Sequence, residues 1–500
     1  MFVSNASSSG ISPISNSLRL RSAASAYLSR TFGAPTDNKK WTWRGMVKRG
    51  AISSANTFVL FNAGNIGTNE VVLGFYNDTL YCYQVSSSTV TLNKISSTVY
   101  RDPSAWYDVV FVYDSANATA EDRFKAYING VRVTAWGTNT NLPLNQASLA
   151  NSAIRNSIGI AEYTSRYPFD GYLSRVCFVD GQALDPSYFG YTDTATGQWV
   201  SRTPSAINSL VGSWGKNGDL WDFDNGTSLT TLGYGKYNSV NWTLNNISIT
   251  AGVTYDWMTD TPTNNYAVLN PLDKVTTSVL AGANLETTSV AAQASIGSIG
   301  VDSGKWYWEF KYSAATASQS VGVYKTSATT ATITATTNVI GVRFDVGAGT
   351  LDYTVDGTNY TSISTGLTSG PYFPYASSAT NAKNIYFNAG QRPFTYTPPT
   401  GYKALCTANL TSDTVTTSGT FTGNANADGP FVWCNGTPET LTINSNAVTF
   451  GTHADKLANG FKLRTASASY NTAGSNTWTA TVLSPSSKSA FRNQRAKGNP

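Results

Sequence analysis

The sequence predicts an all-β chain made of tandem β-sandwiches and a small C-terminal β module. Three observations carry that prediction. Short alternating or apolar runs recur along the chain, separated by clusters of Gly, Asn, Asp and Ser. Charged residues make up 13% of the chain, about half the usual ~25%, so exposed sheet faces must be built largely from Ser, Thr and Asn. Few stretches show the 3.6-residue periodicity of a long helix. The 500 residues exceed what one core can organise, and at about 100–200 residues per domain they imply roughly three units.

The first unit is expected over 17–202, after a Ser/Asn-rich arm at 1–16. Strand-like segments follow at short spacing: 18–22, 41–48, 57–62, 71–76, 80–85, 106–114, 124–133, 157–160 and 171–179. The Asn129-Gly130 pair marks a type I′ hairpin, because both turn positions need positive φ. The run Trp106–Tyr113 is apolar on both alternations, which predicts cover on both faces. The segment 169–189 reads as a turn at Asp170-Gly171, a strand and a polar stop at Leu184-Asp185-Pro186-Ser187. Strict alternation in that strand sets Leu173, Arg175, Cys177 and Val179 against Tyr172, Val176 and Phe178.

The order WYDVVFVYD, FKAYINGVRV, FDGYLSRVCFVDG resembles the laminin-G-like jelly roll of the concanavalin-A-like class. That resemblance implies a domain that binds surfaces and sugars and rarely does chemistry. Residues 203–270 read as a connector, with the Pro/Thr/Asn-rich stretch 258–271 as linker. The segment 241–272, NWTLNNISITAGVTYDWMTDTPTNNYAVLNPL, resembles a joint in tail and surface proteins of tailed bacteriophages.

The second unit is expected over 271–410. Trp306, Trp308 and Phe310 alternate and so share one core face. The order GKWYWEF, GVRFDVGAGTLDYTVDG, PYFPYAS, IYFNAGQRPF resembles a SPRY-like sandwich, a second member of the concanavalin-A-like class. The third unit, 411–482, is a small β module. Its size predicts marginal stability alone. A basic tail, 483–500, ends the chain.

Chemistry has little to work with. His453 is the one histidine, set in a turn of the smallest unit, and no Gly-x-Ser-x-Gly elbow is present. No paired-glutamate strand motif suggests glycoside cleavage, and Glu309 is expected on a solvent face. No catalytic residue is assigned and a binding protein, not an enzyme, is expected. Cys82, Cys177, Cys406 and Cys434 are read as reduced, with Cys406–Cys434 the pair to check. No cofactor is expected, although calcium is weighed at 219–226, where Asp219, Asp222 and Asp224 cluster without EF-hand spacing. Turn-forming aspartate is the competing explanation there.

Sugar recognition needs an aromatic platform beside polar side chains. Tyr163, Arg166, Tyr167 and Asp170, in the loop before the closing strand, are the best candidates by composition; Trp136 and Trp214 are weaker. Net charge is +5 without a basic stripe, so nucleic acid is not an expected partner. No apolar run is long enough to span a membrane, and Met1–Leu18 lacks the apolar core of a signal peptide. Lys488, Arg492, Arg495 and Lys497 form either a solvated end or a contact with an acidic assembly partner.

The phage resemblance implies a virion structural adhesion protein, foremost a tail-fibre or receptor-binding subunit. Its partners would be other virion proteins and host cell-surface polysaccharide, and it would be a homotrimer as such fibres commonly are. A capsid decoration or head-fibre protein and a secreted polysaccharide-degrading enzyme are the alternatives. A SPRY-type adaptor would leave the first and last units unexplained.

Overall fold

The computed structural model describes residues 13–483 except 54, 66–67, 162–165, 195–196, 273–277, 289–292, 316–318, 334–335, 379–382, 411–413, 424–430, 434–437, 451, 458–459, 464–469 and 471–473. The architecture is all-β, with several sandwich sheets and two short α-helices among the described residues. Two compact units result, one within 13–409 and one within 410–483.

The described residues of 17–180 form thirteen strands of the first sandwich: β1 (Ser17–Leu20), β2 (Tyr27–Thr31), β3 (Lys40–Arg49), β4 (Thr57–Asn65), β5 (Asn69–Tyr76), β6 (Thr79–Ser86), β7 (Thr89–Val99), β8 (Trp106–Asp114), β9 (Phe124–Ile128), β10 (Val131–Arg132), β11 (Trp136–Thr140), β12 (Arg155–Ile158) and β13 (Gly171–Asp180). A back sheet runs β10-β9-β8-β3-β13-β1, and a front sheet runs β11-β7-β6-β5-β4-β12-β2. Between them lies one core holding Leu18, Trp43, Leu73, Phe111 and Leu173. Phe178 is at its centre, stacked 5.9 Å from Trp41 and 5.7 Å from Phe61. The β9–β10 hairpin turns on Asn129 and Gly130 at φ 51° and 78°, as a type I′ turn requires.

Strict alternation fails in β13. Its register shifts between Ser174 and Cys177, with Arg175 at φ 45°. The bulge puts Leu173, Val176 and Phe178 in the core and turns Cys177 and Val179 to the outer face. That outer face is buried as well. Val110, Val112, Cys177 and Val179 pack with Leu184, Phe189, Ile207 and Leu220, so both faces of β8 are covered as its sequence predicts. The covering segment includes a helix, Pro204–Val211, started by Pro204 and capped by the Thr203 hydroxyl, which accepts from the Ala206 N–H at 3.1 Å.

The stretch 203–270 is built into the first sandwich. Asp219–Trp221 pairs with β13, Trp257–Met258 with β1, and Thr243–Asn245 with β2 on the front sheet. It also supplies carboxylates to cations on the outer face of the back sheet: Arg175–Asp222 at 2.9 Å, Arg19–Asp256 at 2.9 Å and Lys48–Asp260 at 2.6 Å. Arg44–Asp108, 2.7 Å apart and fully buried, completes the row within the sheet itself.

The second sandwich packs a sheet containing Lys305–Tyr312, Ile340–Asp345, Thr350–Thr354 and Ile385–Asn388 with one of Gln293–Ile296, Phe373–Ser378, Gln319–Tyr324 and Ala328–Ile333. Trp306, Trp308 and Phe310 are buried opposite Phe344, Val342 and Ile340 in register. The small unit has its own core around Leu441, Ile443, Phe461 and Trp478.

Asp260→Asn is expected to destabilise the chain by about 3–5 kcal/mol, because it leaves the Lys48 ammonium buried without a counter-charge. The midpoint of chemical unfolding reads this. The double variant Lys48→Met/Asp260→Leu, which removes both charges, is expected to recover most of the loss.

Candidate functional site

The outer face of the front sheet carries a groove of about 440 Å³, within the range of ligand clefts (about 300–1,000 Å³). Strand periodicity builds it. Leu73, Phe75, Leu80, Cys82 and Leu92 point into the core. Their neighbours Val72, Tyr76, Tyr81, Tyr83 and Asn93 therefore line the opposite face. Tyr81 and Tyr83, two residues apart on β6, stack at 5.7 Å between centroids, and Tyr76 on β5 follows at 5.6 Å from Tyr81. Type I′ turns at Asn77-Asp78 and Ser87-Ser88, with φ of 50°, 64°, 48° and 62°, hold β5, β6 and β7 in this register.

Gly74 faces Tyr81 across the β5–β6 pair. A Cβ there would lie 2.1 Å from the Phe58 carbonyl oxygen, because the β4–β5 register shifts between Val59 and Phe61. The bulge thus keeps the position free of a side chain beside the ring of Tyr81.

Arg166 and Tyr167, before β13, form a wall. Tyr167 takes φ 59°, unusual for a non-glycine residue, and its carbonyl accepts from the Val59 N–H at 3.0 Å. Arg166 Nη1 donates to the Tyr167 hydroxyl at 2.9 Å, and its Nη2 pairs with Glu70 Oε1 at 3.3 Å. Burial, then the neighbouring Tyr83 and Glu70, pushes the Tyr81 phenol well above its usual range; burial and Glu70 push Tyr83 the same way. Both rings stay neutral, with hydroxyls able to donate and accept. The Asn93 side-chain carbonyl is buried without a hydrogen-bond partner among the described residues.

The sequence candidates divide. Arg166 and Tyr167 line the groove. Tyr163 lies outside the described residues, as do Lys488, Arg492, Arg495, Lys497 and Cys434. Asp170 lies away from the groove: it is 1% exposed, accepts from the Ser22 hydroxyl at 2.7 Å and from the Ala283 N–H, and so ties the start of β13 to the second sandwich. Trp214 is a buried cap stacked on Tyr237. Trp136 is half-buried under the Lys94 ammonium. Sequence reading missed Glu70, Tyr76, Tyr81, Tyr83 and Asn93. The available signal was Cys82: once it is placed in the core, Tyr81 and Tyr83 must face outward together.

Glu309 is buried, against the expectation of a solvent face. Its carboxylate accepts from the Thr395 and Tyr396 N–H groups at 2.9 Å and from the Tyr307 hydroxyl at 3.2 Å. The segment after Pro393 covers that face, so alternation does not imply exposure. Beside it is a cavity of about 70 Å³ bordered by Arg392. Burial, then Arg19, lowers the Arg392 guanidinium to about 9, and it donates to the Val253 and Phe387 carbonyls at 2.8 and 3.0 Å.

The acids at 219–224 are each engaged by groups of the protein itself. Asp219 accepts from the N–H groups of Leu220, Tyr237, Asn238 and Val240, while Asp222 pairs with Arg175 and Asp224 with Lys236. No cluster of three His, Cys, Asp or Glu side chains suited to a metal occurs among the described residues. Cys82, Cys177 and Cys406 are free and buried. His453 stacks on Tyr470 and its Nδ1 accepts from the Thr449 N–H at 3.1 Å.

No family model matches the sequence, and no curated protein matches it. Among solved structures the chain is similar to a protein from Bacteroides ovatus provisionally described as carbohydrate binding (16% identity, 46% of this chain and 58% of that one, TM-score 0.30). It is also similar to a native heptameric SAP-like pentraxin from Limulus polyphemus (13% identity, 35% and 79%, TM-score 0.26). A third similarity is to the SPRY domain of human HERC1 (15% identity, 25% and 99%, TM-score 0.21). Each covers less than half of this chain.

Gly74→Ala is expected to lower stability by about 1–3 kcal/mol, since the new methyl forces the bulged backbone of β4 aside. Thermal unfolding measures it; an unchanged melting temperature would mean the bulge yields freely.

Proposed function

We propose that the chain is a surface-adhesion protein whose first sandwich binds carbohydrate in the front-sheet groove. The observation that carries this reading is the run of three tyrosine rings, Tyr76, Tyr81 and Tyr83, along one groove. Pyranose rings present C–H faces that pack on aromatic rings and equatorial hydroxyls that need fixed polar partners. Tyrosine hydroxyls, Asn93, Glu70 and Arg166 supply such partners around one platform. The activity is binding and not catalysis.

The biological setting we propose is the virion of a tailed bacteriophage, where the chain acts as a tail-fibre or receptor-binding subunit, in a homotrimer, recognising host surface polysaccharide. Its support is the resemblance of segment 241–272 to the joint found in such proteins. Cryo-electron microscopy of particles from the source tests the setting. Copies at the tail tip support it; copies spread over the head lattice would make decoration the function.

Binding itself is tested by screening the full chain against bacterial surface polysaccharides. Tyr81→Ala is expected to weaken capture by about 2- to 10-fold, the worth of one ring contact of about 0.5–1.5 kcal/mol. Tyr234→Ala, at an exposed ring away from the groove, is the control and is expected to bind normally. A panel on which wild-type protein is retained by no glycan would sink the reading.

A further inference from the structure

Resting on the carbohydrate reading, we infer that the groove takes an uncharged oligosaccharide along its length, over two or more consecutive rings, and does not take an acidic glycan or a single terminal sugar.

The charge argument comes first. Among the described residues, the ionisable side chains at the groove that carry charge at neutral pH are Glu70 and Arg166, and they pair with each other at 3.3 Å. Glu70 is nearly buried, with its side chain 7% exposed, so its negative charge is fixed on the groove floor. An incoming carboxylate, sulfate or phosphate meets a cation already neutralised and an anion that repels it. It would also lose its own hydration, a cost repaid only by an unspent counter-charge. A neutral hydroxyl carries no such cost. It finds phenol hydroxyls along the platform, held in the neutral form.

The shape argument is separate. The rings of Tyr76, Tyr81 and Tyr83 succeed one another at 5.6 and 5.7 Å, which makes a strip and not a single stacking site. The strip crosses from β5 to β6, and Gly74 leaves no side chain beside Tyr81 to divide it. One pyranose covers one ring, so a single sugar leaves most of the platform wet.

Isothermal titration of the full chain with neutral hexose oligomers of one to four rings, and with a polyuronate, tests this. Affinity is expected to rise by about 2- to 10-fold for each ring added until the strip is filled. It should change little between low and high salt, because no net charge is matched. Glu70→Gln, which keeps the shape and removes the negative charge from the groove floor, is expected to gain polyuronate binding that fades with salt. Wild-type binding of polyuronate over every neutral oligomer, or a monosaccharide bound as tightly as a trimer, overturns the inference and leaves the carbohydrate reading standing. Binding of none of these by wild type and variant, together with an empty polysaccharide screen, overturns both.

Discussion

The row of buried ion pairs on the outer face of the back sheet is the constraint on which the rest of this unit depends. Arg19, Lys48 and Arg175 project from three different strands, and their counter-charges, Asp256, Asp260 and Asp222, all arrive from one stretch of chain, 203–270. A buried cation without its partner costs several kcal/mol. The strands cannot therefore take their places in the native sheet unless that stretch lies across them. The pairs add little net stability over apolar packing of the same volume. They specify register: a shift by one residue in β3 would send Lys48 into the apolar core and Val47 out among the carboxylates.

This one-sided cover decides where a ligand can sit. With the back sheet buried on both faces, the front sheet is left with the broad outer surface of the first sandwich. On that surface the same period of two that fills the core with Leu73, Phe75 and Cys82 brings Tyr81 and Tyr83 together outside. The bulge at Val59–Phe61 and the loop at Arg166–Tyr167 then shape a flat face into a groove.

The fold class was legible because sheet-forming patterns survive locally: the Asn129-Gly130 turn, the doubly apolar Trp106–Tyr113 and the Trp306–Trp308–Phe310 face each depend on neighbours close in sequence. What was not legible depends on distant cover or on irregularity. Glu309 and Lys48 look like solvent-face residues until the segments that bury them are in place. Strand β7, TVTLNKISSTV, is too polar to stand out, and its turn at Ser87-Ser88 lacks the Asn-Gly or Asp-Gly signal. Of the groove, only the loop residues Arg166 and Tyr167 were found. The larger part, made by sheet residues, was hidden because the run Leu80–Tyr83 does not say which alternation faces out.

The low charge of the chain and the character of the groove have a common origin. Charged residues are scarce, and many of them are committed inside: Arg19, Arg44, Lys48, Arg49 and Arg175 are all buried against aspartates. What remains for an outer surface is Ser, Thr, Asn and Tyr. Such a surface has weak long-range fields and so cannot draw a ligand by steering. A sugar-binding groove on such a surface would recognise at contact, through ring faces and hydrogen bonds whose geometry is fixed beforehand by strand register. The rigidity that the buried pairs impose on the back sheet is transmitted through a close-packed aromatic core, Trp41, Phe178 and Phe61, to the strands beneath the tyrosines. The groove face is thereby held in shape by charges on the opposite side of the sandwich.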